Sequence, residues 1–389
     1  MTKLLFISNG HGEDTIGAEI LEHLRRRAPN FKIDAFPIVG SGSAYRDIEV
    51  EILGTKKSFP SGGFFYQSAF STLRDVVAGL LGNTVKQISE LKKLRGRYDL
   101  VFAIGDVVPI VGAMITRAPF IFYGCAKSNY YRYSYTPWEK YMLKKYAVLT
   151  LPRDEKTTLD LKKKGINTFY VGNPMMDCLK FTGDDFALPK NSVVVGFLPG
   201  SRMDIKVNFE DFLPITKAII VQNPTDRPVE FLASLAPNLK LDELNKIRQL
   251  KKGKWKLDGL NLVSVPEGIT VRVIQGKFGD LLQRSDIIIG LSGTGNEQAT
   301  GLGKPVIAFA GRGAQHNRTF MQMKKELLGD SVSNVRRQPK IVAREVWQIL
   351  SDPERIQKMQ AAGRERMGGP GAAERIVDVI LRTLGARHA

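Results

Sequence analysis

The chain has 389 residues, 43% apolar, 9% aromatic and 25% charged, a composition that excludes disordered, collagen-like and disulfide-framework proteins. Its length points to two domains, because single cores rarely grow past about 250–300 residues. Lys and Arg number 57 against 39 Asp and Glu, a formal charge of +18 spread over both halves. Such a field attracts nucleic acid, phosphorylated substrates or an anionic bilayer, or simply keeps the protein soluble.

Two cysteines, Cys125 and Cys178, make no disulfide framework and suit a reducing compartment. No apolar run reaches the ~18–20 residues of a membrane span. Met1-Thr2-Lys3 runs straight into Leu4–Ile7, too short for a signal peptide. A cytoplasmic protein is therefore expected.

In chain order, Lys3–Ser8 is an apolar run ending in Asn9-Gly10-His11-Gly12. A helix is predicted over Asp14–Ala28, with Ile16, Ile20, Leu21 and Leu24 at helical spacing. Glu13 and Asp14 open it and Arg25-Arg26-Arg27 closes it, as the helix dipole prefers. Strands are predicted at Phe31–Phe36, Asp99–Ile104, Pro119–Phe122 and Val148–Leu151. Continuous rather than alternating apolar strands imply a parallel sheet covered on both faces.

The unit restarts near residue 190. A strand at Ser192–Leu198 precedes a helix over 210–222, whose Pro214 fits only where helical amides lack intrahelical acceptors. Further strands are predicted at Val229–Ala233, Thr270–Ile274, Asp286–Gly290 and Pro305–Ala310. The expected fold class is α/β, with two Rossmann-like doubly wound parallel-sheet domains, 1–183 and 190–368, facing across a cleft. Lys180–Lys190 has linker composition. In 369–389 a helix over Ala373–Leu384 is expected to cross back to the first domain.

Ligands of such folds bind at strand carboxyl ends, where glycine-rich loops enter helices, and five loops stand there. In Leu198-Pro-Gly-Ser-Arg202, Gly200 allows close backbone approach, Ser201 can donate and Arg202 can grip two phosphate oxygens; a tight turn with a surface arginine reads equally well. In Gly290–Gly303, a helix opening near Asn296 would offer free amides to a diphosphate, joined by Ser292 and Thr294 hydroxyls and by Gly293, Gly295 and Gln298. Glu297 is either a dipole-complementing residue or an acceptor for ribose hydroxyls. The glycine spacing fits neither a dinucleotide fingerprint nor a Walker loop.

In Gly311–Arg318, Gln315, His316 and Asn317 suit sugar hydroxyls, or cap the helix predicted near Thr319. Gly10 and Gly12 let the backbone around His11 pass close to a bound acceptor, and His11 is a candidate base or a partner of a neighbouring loop. Asp106, after the third strand, is either a base or a helix N-cap. No Asp-x-Asp triplet occurs, so no metal clamp for a diphosphate is expected and no cofactor is required.

Together these loops resemble the GT-B glycosyltransferases, and more narrowly the lipid-A-disaccharide synthases. The carrying residues are Leu198–Arg202, Ser292–Glu297, Tyr170-Val-Gly-Asn-Pro-Met-Met-Asp177 and Gly12-Glu-Asp-Thr-Ile-Gly-Ala18. The resemblance implies a metal-independent inverting transferase, with UDP-sugar of GlcNAc type in the C-terminal domain and a lipid or lipid-linked acceptor in the N-terminal one. It implies that Arg202 and Ser292–Gly295 hold the diphosphate, Glu297 the ribose and Gln315 the sugar, with Asp106 as first base and His11 as second. The Gly-Asn-Pro…Asp segment also resembles the UDP-N-acetylglucosamine 2-epimerases, the alternative activity. A non-catalytic nucleotide-sugar binder is the reading from another class.

Two aromatic stretches bear on the acceptor. They are Ser58–Phe70 and Asn129–Trp138, the latter including Tyr131 and flanked by Lys127, Lys140, Lys144 and Lys145. Rings beside cations suit a glycolipid acceptor or an anionic bilayer face, with peripheral membrane attachment, or else pack over the sheet. Without a nucleic-acid motif, no nucleic-acid partner is expected.

Overall fold

The computed structural model describes residues 1–39, 42–54, 80–131, 134–200, 205–236, 239–312 and 318–388. The chain forms two compact units. The first contains Met1–Cys178 and Gly369–Ala389, the second Leu179–Gly368.

The first unit strings β1 (Lys3–Ser8), α1 (His11–Arg27), β2 (Lys32–Pro37), α2 (Ser43–Asp47), β3 (Glu51–Ile52), α3 (Leu80–Lys93), β4 (Leu100–Ile104) and α4 (Val107–Thr116). It continues with β5 (Phe120–Gly124), α5 (Pro137–Tyr146), β6 (Ala147–Pro152) and α6 (Glu155–Lys163). Its described strands pair in parallel in the order β3-β2-β1-β4-β5-β6. Every residue of β4 and β5 is buried. That is why these strands read as unbroken apolar runs: helices cover both faces, so neither face needs a polar residue.

The second unit strings β7 (Val193–Leu198), α7 (Ile205–Val221), β8 (Val229–Leu235), α8 (Arg248–Lys251), β9 (Trp255–Asp258), β10 (Asn261–Ser264), β11 (Thr270–Gln275) and α9 (Phe278–Arg284). There follow β12 (Ile287–Gly290), α10 (Gly293–Gly301), β13 (Val306–Phe309), α11 (Arg318–Leu328), β14 (Val332–Val335), α12 (Pro339–Leu350) and α13 (Pro353–Met367). The sheet order is β14-β13-β12-β7-β8-β11-β10-β9. Only β10 runs against its neighbours. Its core includes the rings of Phe197, Phe212, Phe231 and Phe309. Phe197 and Phe212 stack at 4.8 Å, and Phe309 meets Phe212 edge-on at 6.1 Å. These rings lock α7 onto β7, β8 and β13.

Pro214 corrects an expectation. Helix α7 begins at Ile205, so Pro214 lies in its interior and cannot donate to the Glu210 carbonyl. That carbonyl accepts instead from Gln249 Nε2 at 2.8 Å, which satisfies the group the proline orphans.

The segment after Cys178 is fastened to the second unit. The Asp280 carboxylate accepts from the amides of Thr182 and Gly183 and from the Thr182 hydroxyl at 2.8–2.9 Å. The last helix, α14 (Ala372–His388), packs on α1 in the first unit. Ile376, Val377, Ile380 and Leu384 are buried there, each worth roughly 1.5–3 kcal/mol of transfer free energy. Arg27 pairs with Asp378 at 2.5 Å. The Asp177 carboxylate caps the helix start, accepting from the amides of Gly371 and Ala373, while Arg375 Nε donates to the Val171 carbonyl at 2.7 Å. The Tyr170–Asp177 motif thus holds the final helix.

Candidate functional site

In the second unit the chain winds from β7 to β8 and β11 on one side, then returns to lay β12, β13 and β14 on the other. The switch point falls between β7 and β12, where open α/β sheets bind ligands at the strands' carboxyl ends. The two glycine loops leave these two strands. Leu198 and Gly290 are register partners, and the Leu291 amide donates to the Leu198 carbonyl at 2.9 Å. Gly200 has φ +86°, and a Cβ there would stand 3.6 Å from the Leu291 carbonyl oxygen. The first loop is therefore laid against the second, as a shared ligand requires. Asn208 Nδ2 fixes its base by donating to the Pro199 carbonyl at 2.8 Å. Ser201 and Arg202 lie outside the described residues.

Helix α10 starts at Gly293, not near Asn296. Ser292 is its N-cap, with Oγ accepting from the Gly295 amide at 3.1 Å, so this hydroxyl holds the helix start. Amides at the head of a helix lack intrahelical acceptors, and Thr294 is exposed. Asn296 Nδ2 donates to the Gly290 carbonyl at 3.0 Å, and a Cβ on Gly290 would overlap Asn296 Oδ1. Gly290 is required by that contact.

Glu297 sits in the second turn, buried beside Gln298, rather than in the first turn as the predicted helix start implied. Its carboxylate pairs with Lys324 of α11, a partner no local pattern announced. Gln315, His316 and Asn317 lie outside the described residues. The loop's near end is anchored by Arg312, which pairs with Glu210 and Asp211 at 3.0 Å each. A cavity of about 640 Å³, lined by Glu210, Asp211, Trp255, Arg312 and Arg337 among others, shares only Arg312 with these loops among the described residues.

In the first unit the equivalent switch point lies between β1 and β4. Here Asn9 Nδ2 donates to Asp106 Oδ1 at 3.0 Å. Asp106 is the N-cap of α4, its Oδ1 also accepting from the Val108 amide at 2.9 Å. Capping through one oxygen leaves the carboxylate's second oxygen as an acceptor. Burial lifts the Asp106 carboxyl above its usual range, while the Val108 amide and Lys127 favour its charged form.

His11 is exposed at the first position of α1, and Gly12 has open space where a side chain would stand. Gly10 is the helix N-cap in extended conformation. Behind them, Ser8 donates to Asp14 Oδ1 at 2.5 Å and Tyr45 donates to Ser8 at 3.1 Å. Burial, reinforced by Glu13 and opposed by Ser8, pushes Asp14 up to about 7. This buried triad was not legible as such, because Asp14 reads as an ordinary dipole residue.

Of the aromatic stretches, Ser58–Phe70 lies outside the described residues. The second stretch divides. Tyr135 is buried and Tyr131 half-buried, Lys127 pairs with Glu139 at 2.6 Å, and Lys140 pairs with Asp160 at 2.9 Å. The exposed rings belong to Trp138, 66% exposed, Tyr141 and Tyr146 on α5. Trp138 stacks on Tyr141, and Lys145 lies 5.5 and 5.3 Å from the Tyr141 and Tyr146 ring centres. Among the described residues no helix is long and apolar enough to cross a membrane.

These two parallel-rich doubly wound sheets form the GT-B fold. In structure the chain is similar to the Staphylococcus aureus MnaA–UDP complex, with a TM-score of 0.64, 16% identity and coverage of 99% and 97% of the two chains. It is similar to UDP-GlcNAc 2-epimerase from Neisseria meningitidis bound to UDP-GlcNAc, at 0.60 and 18% over 98% and 100%. It is also similar to Acinetobacter baumannii MurG, at 0.58 and 12% over 98% and 100%. In sequence it resembles the lipid-A-disaccharide synthase of Syntrophus aciditrophicus, 27% identical over 242 residues, or 57% of this chain and 58% of the relative. The chain thus spans less than three-fifths of that relative's length. No family model matches the chain.

Proposed function

We propose that the protein is a UDP-sugar-dependent glycosyltransferase related to the lipid-A-disaccharide synthases, acting on a lipid or lipid-linked hydroxyl. The observation that carries the reading is the meeting of the Gly200 turn with the Leu291–Gly295 loop at the second unit's switch point. Neighbours of this fold include proteins solved with UDP or UDP-GlcNAc, and the sequence likeness is to transferases. We rank transfer over epimerisation on that likeness.

In this mechanism the second unit holds the donor. Arg202, the amides of Gly293 and Thr294 and the α10 dipole offset the diphosphate charge. Glu297 and Gln298 serve the ribose, and the Gln315–Asn317 loop reads the sugar. The first unit holds the acceptor through the Gly10–Gly12 loop and Tyr131. Asp106 takes the hydroxyl proton, with His11 as the second candidate. The acceptor oxygen bonds to the anomeric carbon as the bond to UDP breaks, and the electron pair leaves with the diphosphate, inverting the centre. The exposed Trp138–Tyr141–Lys145 face of α5 suits contact with an anionic membrane surface.

The test is UDP release with lipid-linked sugar acceptors. Arg202→Ala should cut turnover by about 10²–10³-fold with little change in melting temperature. An unaffected rate rejects the assignment, and solvent exchange of the sugar's C2 proton without any acceptor would favour the epimerase.

A further inference from the structure

The cavity beside α7 lies apart from the glycine loops, and its volume of about 640 Å³ falls in the range of small-molecule sites. Lys217, Arg248, Lys252, Lys254, Arg312 and Arg337 line it against Glu210, Asp211 and Glu267, which leaves a net charge of +3. The carboxylates are already engaged. Glu210 and Asp211 each pair with Arg312 at 3.0 Å, and Asp211 also meets Arg337 at 3.5 Å. Glu267 pairs with Lys217 at 2.5 Å.

Arg248, Lys252 and Lys254 stand differently: among the described residues no carboxylate pairs with any of their side chains. The backbone fixes their places. The Arg248 amide donates to Glu210 Oε1 at 2.9 Å. The Lys252 amide donates to the Arg248 carbonyl at 3.1 Å, so the two side chains leave the chain one helical turn apart. Like charges at that spacing repel. Gly253, at φ +64°, then turns the chain. The Lys254 amide donates to the Gln249 carbonyl, and the Lys254 carbonyl accepts from the Val265 amide, each at 3.0 Å. Trp255, 8% exposed, follows in the same lining. Three cations are thus gathered around one cavity while its carboxylates pair with other cations.

We propose that Arg248, Lys252 and Lys254 form a binding site for an organic phosphate, separate from the glycine loops. A guanidinium can grip two phosphate oxygens at once, and the two ammonium groups add point charges. A phosphate monoester carries a charge of about −1.5 to −2 at neutral pH, which answers the net +3 of the lining better than one carboxylate does. Its entry turns mutual repulsion of the three cations into shared attraction. Trp255 and Pro214 offer apolar surface to the rest of the ligand. A free sugar phosphate and a lipid phosphate headgroup share this chemistry. The site stands independently of the glycosyltransferase reading.

The experiment titrates the full chain with glucose 6-phosphate and inositol hexakisphosphate, and with glucose and inositol as their unphosphorylated parents. Phosphatidylcholine vesicles with and without phosphatidate form the lipid arm. Calorimetry reads the soluble probes, sedimentation reads the vesicles, and the indole N–H resonance of Trp255 reports the place of binding. Arg248→Gln/Lys252→Gln/Lys254→Gln should weaken phosphate binding at least about tenfold, the scale of one charge-assisted contact, with a nearly unchanged melting temperature. Lys162→Gln/Lys163→Gln/Lys164→Gln removes the same charge from exposed positions in the first unit and should change binding less than about twofold. The Trp255 resonance of the wild type should move with the phosphorylated probes and not with their parents. Loss of the soluble probes in the first variant identifies a free organic phosphate, and loss of phosphatidate vesicles alone identifies a headgroup; either result upholds the site. Equal weakening by both variants reduces the effect to the protein's overall field and overturns the proposal. So does full affinity in the first variant, a Trp255 resonance unmoved while a soluble phosphate binds, or a wild type that binds none of the probes.

Discussion

Asn9 donates from Nδ2 to Oδ1 of Asp106 across 3.0 Å, joining the loops that leave β1 and β4. This bond and the Val108 amide both use one oxygen, so the carboxylate caps a helix and keeps an acceptor for chemistry. Asp106→Asn preserves the capping oxygen while removing the base. Turnover should fall by about 10²–10⁴-fold with a nearly unchanged melting temperature. Because burial raises this carboxyl, the acid limb of kcat/KM should lie above the usual aspartate value of ~3.9. A rate profile flat across that limb would remove Asp106 from the mechanism.

Asp14 governs stability rather than rate. An unfolded carboxyl ionises near 3.9, whereas in the fold Asp14 holds its proton up to about 7. Between these values only the unfolded chain releases the proton. The native state is therefore favoured in full below about pH 4 and loses ground as pH rises to about 7, by up to about 4 kcal/mol. Asp14→Asn keeps an acceptor for Ser8 and should flatten that slope. Melting curves between pH 4 and 8 check it, and parallel curves for the two proteins would refute it.

Asp177→Ala removes the acceptor for the Gly371 and Ala373 amides. Loss of such a cap costs about 0.5–2 kcal/mol. Faster amide exchange should appear in the first turn of α14, while the Gln275–Gly290 segment keeps its protection. Uniform loss across both units would contradict a local role.

Gln249→Ala should cost about 1–3 kcal/mol, because the Glu210 carbonyl loses its donor. Pro214→Ala returns a backbone N–H to that carbonyl, so the double variant should regain much of the loss. Additive losses in denaturant unfolding would show that the two residues do not share this group.

The wound halves were legible because their strands are buried on both faces and read as apolar runs. The antiparallel β9–β10 ribbon was not. Its residues alternate buried with exposed, Trp255 and Leu262 inward and Lys256 outward, and no apolar run results. The early start of α10 was hidden by Gly293 and Gly295, which disfavour helix locally; the Ser292 cap and the Asn296 brace override that preference. Asp106 and the glycine loops could be placed by their position after strands. Lys324 could not, because its partner lies 27 residues away, and charge pairs at that separation leave no periodic trace. The interior place of Pro214 was hidden for a related reason: the donor that makes it tolerable, Gln249, comes from a distant turn.

Arg27 and Asp378 stand 351 positions apart in sequence yet touch. The first unit is split, and the second is inserted between its two parts. On the ribosome, α1 must wait, its apolar stripe uncovered, while the whole inserted unit is synthesised and folds. Closure of that long loop makes docking of the last helix a late event. A nascent chain halted after residue 368 should therefore hold a finished second lobe and an unfinished first one, which exposes greasy surface to chaperones until residues 369–389 arrive.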